Sequence, residues 1–253
     1  MKKSLISLSF LIASLAGFTQ QTDSTKKNNV RDFFKKVNEA VNSSKGGTSG
    51  GASLSSAEIV AGLKEALSVG AQNSTGKLSS VDGFLKDAAV KILMPEEIRQ
   101  AETKLRALGL GSVVDRAITS MNRAAEDASK TATPIFINAI KKMTVQDALG
   151  ILRGSDTAAT AYLKKSTSNE LTNSFRPIIE KSLKKVNATR YWTEVFTLYN
   201  KVAQKPVPSD INEYVTDRAL QGIFFYVGEE EKKIRENPAA RVTDILKKVF
   251  GSK

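Results

Sequence analysis

Carboxylates, lysines, arginines and hydroxyl groups are the side chains on which any chemistry of this chain must rest. The 253 residues include no histidine and no cysteine. A Ser-His-Asp triad, a cysteine nucleophile, a disulfide, and a metal site with thiolate or imidazole ligands are therefore excluded. Carboxylate or lysine chemistry, metal binding through oxygen ligands, and binding without catalysis remain.

The spacing of the carboxylates gives little support for a catalytic or metal site. A glycosidase pair needs two carboxyl groups about 5–9.5 Å apart, and sequence alone does not show that any two of Asp115, Glu126 and Asp217 lie at that distance. Asp217 and Glu231 are about four turns apart on one predicted helix, and no EF-hand loop is present. We predict that residues 229–231 form a solvated face, and we predict no catalytic residue, metal or cofactor.

A turn bounded by glycines precedes one predicted helix, in the sequence Gly150-x-x-x-Gly154-Ser155-Asp156-Thr157. Free N–H groups at a helix N-terminus attract anions. A phosphate-binding loop would need a lysine directly after its second glycine, and none follows Gly154. We interpret the turn as a helix end followed by a start that Ser155 or Asp156 caps, with an anion or sugar-carboxylate site as the alternative.

Two groups of residues are candidates for lining a ligand site. The first consists of polar side chains within apolar helical stretches, where we favour pairing across helices because an unpaired buried charge is costly. The second is aromatic. Residues 224–226 cover nearly all sides of their helix, so at least one ring meets a neighbouring helix, a groove or a partner. We favour core packing for the rings, with an acyl chain between helices as the alternative. The predicted ligand-binding residues are Asn122, Arg123, Arg176, Trp192, Asp217, Arg218, Phe224 and Phe225.

Helices must position these residues, because helix signals dominate the sequence from residue 54 onward. Capping patterns predict helix starts at Ser55, Thr144, Thr167 and Asp210. Pro177 predicts a kink or break, and residues 88–94 form the one candidate for a short extended segment. The predicted class is all-α, with a single domain of about nine or ten helices over residues 54–251.

The N-terminal residues predict export. Lys2 and Lys3 precede an apolar stretch from Leu5 to Leu15, and small residues then permit cleavage after Ala16 or Thr19. The residue after Leu15-Ala16-Gly17 is Phe18, so the cysteine that a lipoprotein would need at that place is missing. We therefore expect residues 1–19 to be a signal peptide and the mature protein to be periplasmic or extracellular, soluble and not lipidated.

Residues 20–53 form a polar preface to the domain. An amphipathic helix is predicted over residues 30–42, because its apolar side chains follow helical spacing. Residues 43–53 have the glycine and serine content of a flexible linker. We leave open whether the 30–42 helix docks on the domain, touches a membrane surface or stays loosely ordered.

The chain is basic, with a formal net charge of +12 and a pI near 9.7. The lysines are spread as pairs along the chain, and no nucleic-acid motif accompanies them. We therefore interpret the charge as a solvated helical surface, with weak attraction to anionic membrane surfaces as the next hypothesis. No nucleic-acid partner is expected.

Several long stretches, taken together, resemble a known family. Two of them are DGFLKDAAVKILMP at 82–95 and YVTDRALQGIFFYVGEEEKKIRENPAARVTDILKKVFG at 214–251, and the others are 54–67, 108–128, 134–167 and 175–179. They are similar to the bacterial envelope proteins grouped as the DUF4197 domain family. The resemblance implies a helical, exported bacterial protein. It implies no catalytic residues, because the family has no assigned activity.

The resulting hypothesis is a non-enzymatic, exported helical protein of the envelope, which binds a lipid-like ligand or a protein partner. One alternative is a periplasmic hydrolase or lyase that uses carboxylates such as Asp217 and Glu230, or a serine and a lysine. Another is a purely structural role at the cell surface.

Overall fold

A computed structural model describes residues 55–109, 111–189, 192 and 210–236, all within one unit of the chain, residues 47–253. The predicted all-α class is confirmed, since these residues form helices and turns and no strand. The predicted signal peptide at 1–19 lies outside them, as do the preface at 20–53 and its helix at 30–42.

The helices of the described residues are α1 (Ser56–Leu78), a 3-10 turn (Glu96–Ile98), α2 (Arg99–Ala107), α3 (Gly111–Ser129), α4 (Ala132–Lys142), α5 (Val145–Arg153), α6 (Ala158–Lys184) and α7 (Ile211–Glu236). From α2 to α6 the helices follow one another with short connections, and a longer segment, residues 79–95, separates α1 from the 3-10 turn. Within the described ranges, none of these helices combines the length and apolar character that a bilayer span requires.

The core lies between α6 and its two main neighbours, α3 and α7. α6 buries one side chain every four residues along 27 residues, which gives it a single apolar stripe with one buried hydroxyl in it. That stripe consists of Ala159, Leu163, Thr167, Leu171, Phe175, Ile179 and Leu183. Each fully buried Leu, Ile or Phe contributes about 1.5–3 kcal/mol to folding, so this stripe is a major source of stability.

α1 completes the bundle by packing on α4 and α7. Thr75 and Thr133 share a hydrogen bond between their hydroxyls at 2.6 Å, and Lys64 donates to the carbonyl oxygen of Lys141 at 3.0 Å. α1 and α4 are therefore antiparallel. The amide of Asn73 donates to the carboxylate of Glu230 on α7 at 2.8 Å.

The predicted caps at Ser55, Thr144 and Asp210 are confirmed. The hydroxyl of Ser55 accepts a hydrogen bond from the backbone N–H of Glu58 at 3.2 Å, and the backbone N–H of Ser55 donates to the Glu58 carboxylate at 2.9 Å. Thr144 forms the same reciprocal pair with Asp147. The carboxylate of Asp210 accepts from two backbone N–H groups of the first turn of α7. Each cap satisfies donors that the first turn of a helix leaves free.

The described residues hold fewer helices than the nine or ten predicted, because α6 continues through two expected boundaries. The cap predicted at Thr167 is wrong: this hydroxyl is buried and donates back to the carbonyl oxygen of Leu163 at 2.6 Å. At Pro177, where a kink or a break was predicted, the helix does not break. Pro177 and Asn173, whose carbonyl loses its partner, are both exposed, so water can satisfy that carbonyl. Other predicted helices, near 187–200 and 238–250, lie largely outside the described residues.

The segment near 88–94, the candidate for an extended structure, forms no strand. Residues 88–90 are in a turn and residues 91–95 have no regular structure. The N–H of Lys91 donates to the carbonyl oxygen of Asp87 at 2.8 Å. The segment therefore follows the surface of the bundle as a fixed irregular connection.

Gly222, in the middle of α7, is required by a close approach. A Cβ at this position would lie 2.6 Å from Cε1 of Phe84, a ring that is fully buried. We expect Gly222→Ala to lower the free energy of unfolding by about 1–2 kcal/mol, because overpacking outweighs the better helix propensity of alanine. Urea unfolding followed by circular dichroism measures this.

Gly228→Ala is the matched control, because the nearest atom to its added Cβ lies 3.7 Å away. This variant should be as stable as the parent or more stable. Equal stability of Gly222→Ala and the parent would contradict the close packing of Phe84 on α7.

Candidate functional site

α7 and the segment that joins α1 to α2, residues 79–95, run side by side in opposite directions. Tyr214, near the start of α7, donates from its hydroxyl to the carbonyl oxygen of Leu93 at 2.8 Å. Three turns later, Tyr226 donates from its hydroxyl to the carboxylate of Asp87 at 2.5 Å. We call the exposed side of this pair the loop–α7 surface. It carries Lys91, Leu93, Arg218, Gln221 and Phe225.

Asn122, on α3, fixes one part of the 79–95 segment from inside. Its side chain is fully buried. The amide donates to the carbonyl oxygen of Ile92 at 2.8 Å and accepts from the N–H of the same residue at 2.9 Å. It also donates to the carbonyl oxygen of Ile118 at 2.7 Å. Asn122 therefore supplies the two hydrogen-bond partners that the backbone of a neighbouring strand would supply in a sheet.

Arg123, the next residue of α3, and Glu126, one turn after Asn122, fix the other part. The buried carboxylate of Glu126 accepts from the N–H groups of Phe84 and Leu85, both at 3.2 Å. Arg123 bridges Glu126 and Asp82, at 2.6 Å to each carboxylate. Asp82 has a φ of 68°, in the left-handed region, and this ion pair holds it there. Hydrogen bonds from Lys86 and Arg123 lower the pKa of Asp82.

A third connection joins the segment to both α1 and α7. Lys77 forms an ion pair with Asp87 at 2.8 Å and donates to the hydroxyl of Tyr226 at 2.6 Å. Its ammonium also lies 3.8 Å from the centre of the Tyr226 ring. We call these three residues the clamp. Lys77 and Asp87 line a shallow depression of about 460 Å³, and Tyr226 contacts both of them.

The clamp residues have pKa shifts that keep each group in its ordinary charge state. The hydrogen bond to Asp87 raises the pKa of Lys77, and burial together with Asp87 raises the pKa of Tyr226. Burial acts to raise the pKa of Asp87, but hydrogen bonds from Lys77 and Tyr226 outweigh it and the net direction is down. Proton transfer near pH 7 needs a group whose pKa is moved toward 7. The arrangement therefore suits an ion pair that holds the segment in place.

We expect Asp87→Asn to lower the free energy of unfolding at pH 7 by about 1 kcal/mol, because it breaks a partly exposed, charge-assisted cluster. The pKa of Asp87 is lowered in the folded protein. The contribution of ionised Asp87 to stability is therefore fully present above its pKa in the unfolded chain, about 3.8. It is lost as the pH falls through its lower pKa in the folded protein. The stability difference between the parent and Asp87→Asn should thus shrink below about pH 4, which urea unfolding at several pH values measures.

Asp217→Asn, a change at an exposed carboxylate of α7, serves as the control and should change stability by less than about 0.5 kcal/mol. A difference for Asp87→Asn that stays constant from pH 7 to pH 3 would contradict the ionic role of Asp87.

A groove of about 290 Å³ runs along the loop–α7 surface. Residues 89–92 form one wall, and the other consists of Arg218, Gln221, Gly222 and Phe225. The ring of Phe225 is 44% exposed and lies edge-on to Tyr226, with the ring centres 5.2 Å apart. Two of the predicted ligand-binding residues, Arg218 and Phe225, thus lie on one groove.

The structure does not bring the other predicted ligand-binding residues to this groove. Phe224 is 7% exposed and packs edge-on against Phe136 at 5.9 Å between ring centres. Trp192 is buried and stacks on Tyr214 at 5.8 Å. These two therefore pack as core. Arg176 forms an ion pair with Asp210, Asp217 is exposed on α7, and Asn122 and Arg123 hold the 79–95 segment from its inner side.

The turn before α6 already has an anion at its helix N-terminus. The carboxylate of Glu231, on α7, accepts from the N–H of Ala159 at 3.0 Å and from the N–H and hydroxyl of Thr160 at 2.8 and 2.7 Å. Glu231 is buried, so the solvated face predicted for it is wrong. The cap predicted at Ser155 or Asp156 is also wrong, because a carboxylate from another helix takes that place.

Arg235 completes this arrangement. Its guanidinium forms an ion pair with Glu231 at 2.9 Å and donates to the carbonyl oxygen of Ile151, near the end of α5, at 3.0 Å. The side chain of Arg235 is only 7% exposed. One buried ion pair on α7 therefore joins the end of α5 to the start of α6.

Metal ligands do not converge anywhere in the part of the chain that the structure describes. No three Asp or Glu side chains there lie close enough together to hold a metal ion. The carboxylates of α7 act separately. Glu230 accepts from Asn73 and pairs with Lys233 at 2.6 Å, while Glu231 turns inward.

The chain was compared with models of known protein families. A family model described as "Protein of unknown function (DUF4197)" matches residues 53–251. The chain belongs to the DUF4197 family. No curated protein and no solved structure matches this DUF4197 chain. The resemblance noted in the sequence is thus confirmed, and it covers every residue that the structure describes.

Sequence reasoning missed the structural contacts of three residues of this DUF4197 protein: Asp87, Tyr226 and Glu231. Asp87 and Tyr226 are 139 residues apart in the chain, so no local spacing could pair them. For Glu231 a signal was present, because it lies four residues before Arg235 and three residues before the buried Ile234, on the inward side of α7. A helical projection of α7 would have placed it there.

Proposed function

We propose that this chain is a non-enzymatic, exported helical protein of the bacterial envelope that binds a protein partner through the loop–α7 surface. The observation that carries the proposal is the contrast between two adjacent rings. Phe224 is buried against Phe136, while Phe225 is exposed on the groove beside Arg218. Aromatic residues and arginine are the side chains most enriched at the centres of protein interfaces.

A protein partner is favoured over an acyl chain because the rings predicted to line an acyl site have partners in their own chain. Phe224 packs on Phe136 and Trp192 stacks on Tyr214. A bound acyl chain needs an elongated apolar cavity between helices. The groove on the loop–α7 surface is instead shallow and partly polar, with Arg218 and Gln221 in its wall.

Binding is favoured over hydrolysis by the placement of the carboxylates. Asp217 and Glu230, the pair that a hydrolase would draw on, lie about 20 Å apart along α7. The serine–lysine alternative has no support in the clamp, where the pKa of Lys77 is raised and its ammonium form is favoured. A purely structural role at the cell surface stays an alternative. Identification of one specific protein partner would argue against it.

Export is part of the proposal and rests on residues 1–19. Lys2 and Lys3 before an apolar stretch of signal-peptide length are its basis. The mass of the protein isolated from its own cells tests it. We expect the mass of residues 17–253 or 20–253, in the envelope or secreted fraction. An intact Met1 on cytoplasmic protein would contradict it.

Photocrosslinking in the cell tests the binding function. Position 225 receives a photoreactive phenylalanine analogue, and position 113 on α3, where Val113 is 49% exposed, receives the same group as the control. We expect one discrete protein adduct from position 225 that position 113 does not give. The same adducts at both positions would contradict the proposal. A covalent adduct with the added mass of a lipid, in place of a protein adduct, would favour the lipid-like ligand.

A further inference from the structure

The charges on the groove between residues 89–92 and α7 are of one sign. Its lining contains two cations, Lys91 and Arg218, and no carboxylate. The nearest acids of the 79–95 segment are engaged elsewhere, Asp82 with Arg123 and Asp87 with Lys77. The groove is therefore complementary to a negatively charged group.

Arg218 is oriented but not neutralised. One guanidinium nitrogen donates to Oε1 of Gln221 at 3.1 Å, and the guanidinium carbon lies 5.7 Å from the centre of the Tyr214 ring. Among the described residues, no carboxylate forms an ion pair with it. Since the guanidinium has five N–H donors in a planar fork, it keeps enough of them to bind a carboxylate through two parallel hydrogen bonds.

The two walls of the groove are held in place independently of any ligand. One wall is a helix, and Asn122 holds the other by both backbone groups of Ile92. The clamp fixes the 79–95 segment at Asp87, two residues before this wall. A binding site whose walls are already fixed loses little conformational entropy when a ligand enters.

The size of the groove limits what can enter. Its volume of about 290 Å³ is just below the range for small-molecule sites, about 300–1,000 Å³. The groove can therefore take only a short part of a larger partner. Phe225, at 44% exposure, offers an apolar contact beside the cation.

We infer that this groove binds an extended acidic peptide segment of a protein partner, with a carboxylate on the guanidinium of Arg218 and a neighbouring apolar side chain on the ring of Phe225. The inference rests on the proposed function, because it names the chemistry by which the partner is recognised. It assigns Lys91 a supporting electrostatic role and Gln221 the orientation of Arg218.

A binding titration tests the inference with defined probes. The mature full-length protein is titrated against a fluorescent peptide of six alternating leucine and glutamate residues, and against the same peptide with glutamine in place of glutamate. We expect the glutamate peptide to bind, the glutamine peptide to bind at least tenfold more weakly, and Arg218→Gln to weaken binding of the glutamate peptide about tenfold. Arg218→Lys should restore only part of the loss.

Arg153→Gln is the matched control, since Arg153 is an exposed arginine on α5, and it should bind the glutamate peptide as the parent does. Equal binding by Arg218→Gln and the parent, equal binding of the two peptides, or an equal loss with Arg153→Gln would each overturn the inference. Binding to phosphatidylglycerol vesicles without binding to the glutamate peptide would overturn it in favour of a membrane surface.

Crosslinking from position 225 in the Arg218→Gln background separates the inference from the proposed function. Loss of the partner adduct supports both. An adduct of unchanged yield leaves the proposed function standing and overturns the carboxylate site. Absence of a discrete adduct in the parent background overturns the proposed function, and the inference with it.

Discussion

Replacing Glu231 with glutamine is expected to lower the free energy of unfolding by about 3–5 kcal/mol, as breaking a buried ion pair from one side does. The substitution removes a buried charge that three donors and a guanidinium share. It removes the negative charge that the buried guanidinium of Arg235 pairs with, and it turns one amide donor toward another donor. Urea unfolding followed by circular dichroism at 222 nm measures the loss.

Glu229→Gln, on the exposed side of the same helix, is the control and should change stability by less than about 0.5 kcal/mol. Adding Arg235→Met to Glu231→Gln should cost less than the sum of the two single changes, because both charges of the buried ion pair are then removed together. A loss below about 1 kcal/mol for Glu231→Gln would show that water reaches this ion pair.

Replacing Asn122 with leucine is expected to cost about 2–4 kcal/mol. Leucine has a similar volume, but it leaves the buried N–H and carbonyl groups of Ile92 without partners, and each such group costs about 1–3 kcal/mol. Part of the loss of stability should be confined to the 79–95 segment. Hydrogen exchange at Ile92 and its neighbours should accelerate more than exchange in the core of α6, which native-state exchange measures.

Asn138→Leu, at an exposed position of α4, is the control for the change of side-chain chemistry alone. It should leave both stability and the exchange of residues 88–95 unchanged within error. Uniform acceleration in Asn122→Leu, equal in α6 and in the 79–95 segment, would contradict a specific role of Asn122 in holding that segment.

The sequence was a good guide wherever a structure depends on residues within one turn of each other. The caps at Ser55, Thr144 and Asp210 each use a side chain two or three residues from the N–H it accepts from. Gly154 ends α5 as expected. The all-α class follows from the same local signals, since apolar side chains recur at helical spacing throughout.

The sequence was a poor guide where burial decides between two local options. Thr167 heads a plausible capping pattern, but on the buried stripe of α6 its hydroxyl bonds within the helix. Pro177 removes one hydrogen bond, and the packing of Phe175 and Ile179 on either side of it holds the helix together. Both errors overcounted helices, because local signals do not include the core that overrides them.

For the candidate site, the residue types were predictable and their partners were not. Polar residues in apolar stretches were expected to pair, and Arg123 and Arg176 do form ion pairs. Which ring of residues 224–226 stays exposed depends on where α4 packs, and no local pattern gives that. The groove exists only because residues 89–92 lie along α7, an arrangement fixed by side chains on α3.

The carboxylate of Glu231 that caps α6 has a consequence for the order in which the chain can fold. The cap joins positions 72 residues apart, so the longest described helix emerges from the ribosome well before the residue that completes its first turn. Contacts of this range close late. Until α7 has been synthesised, the start of α6 has free N–H donors and the bundle lacks one side of its core. The complete bundle can therefore form only after α7 has left the ribosome.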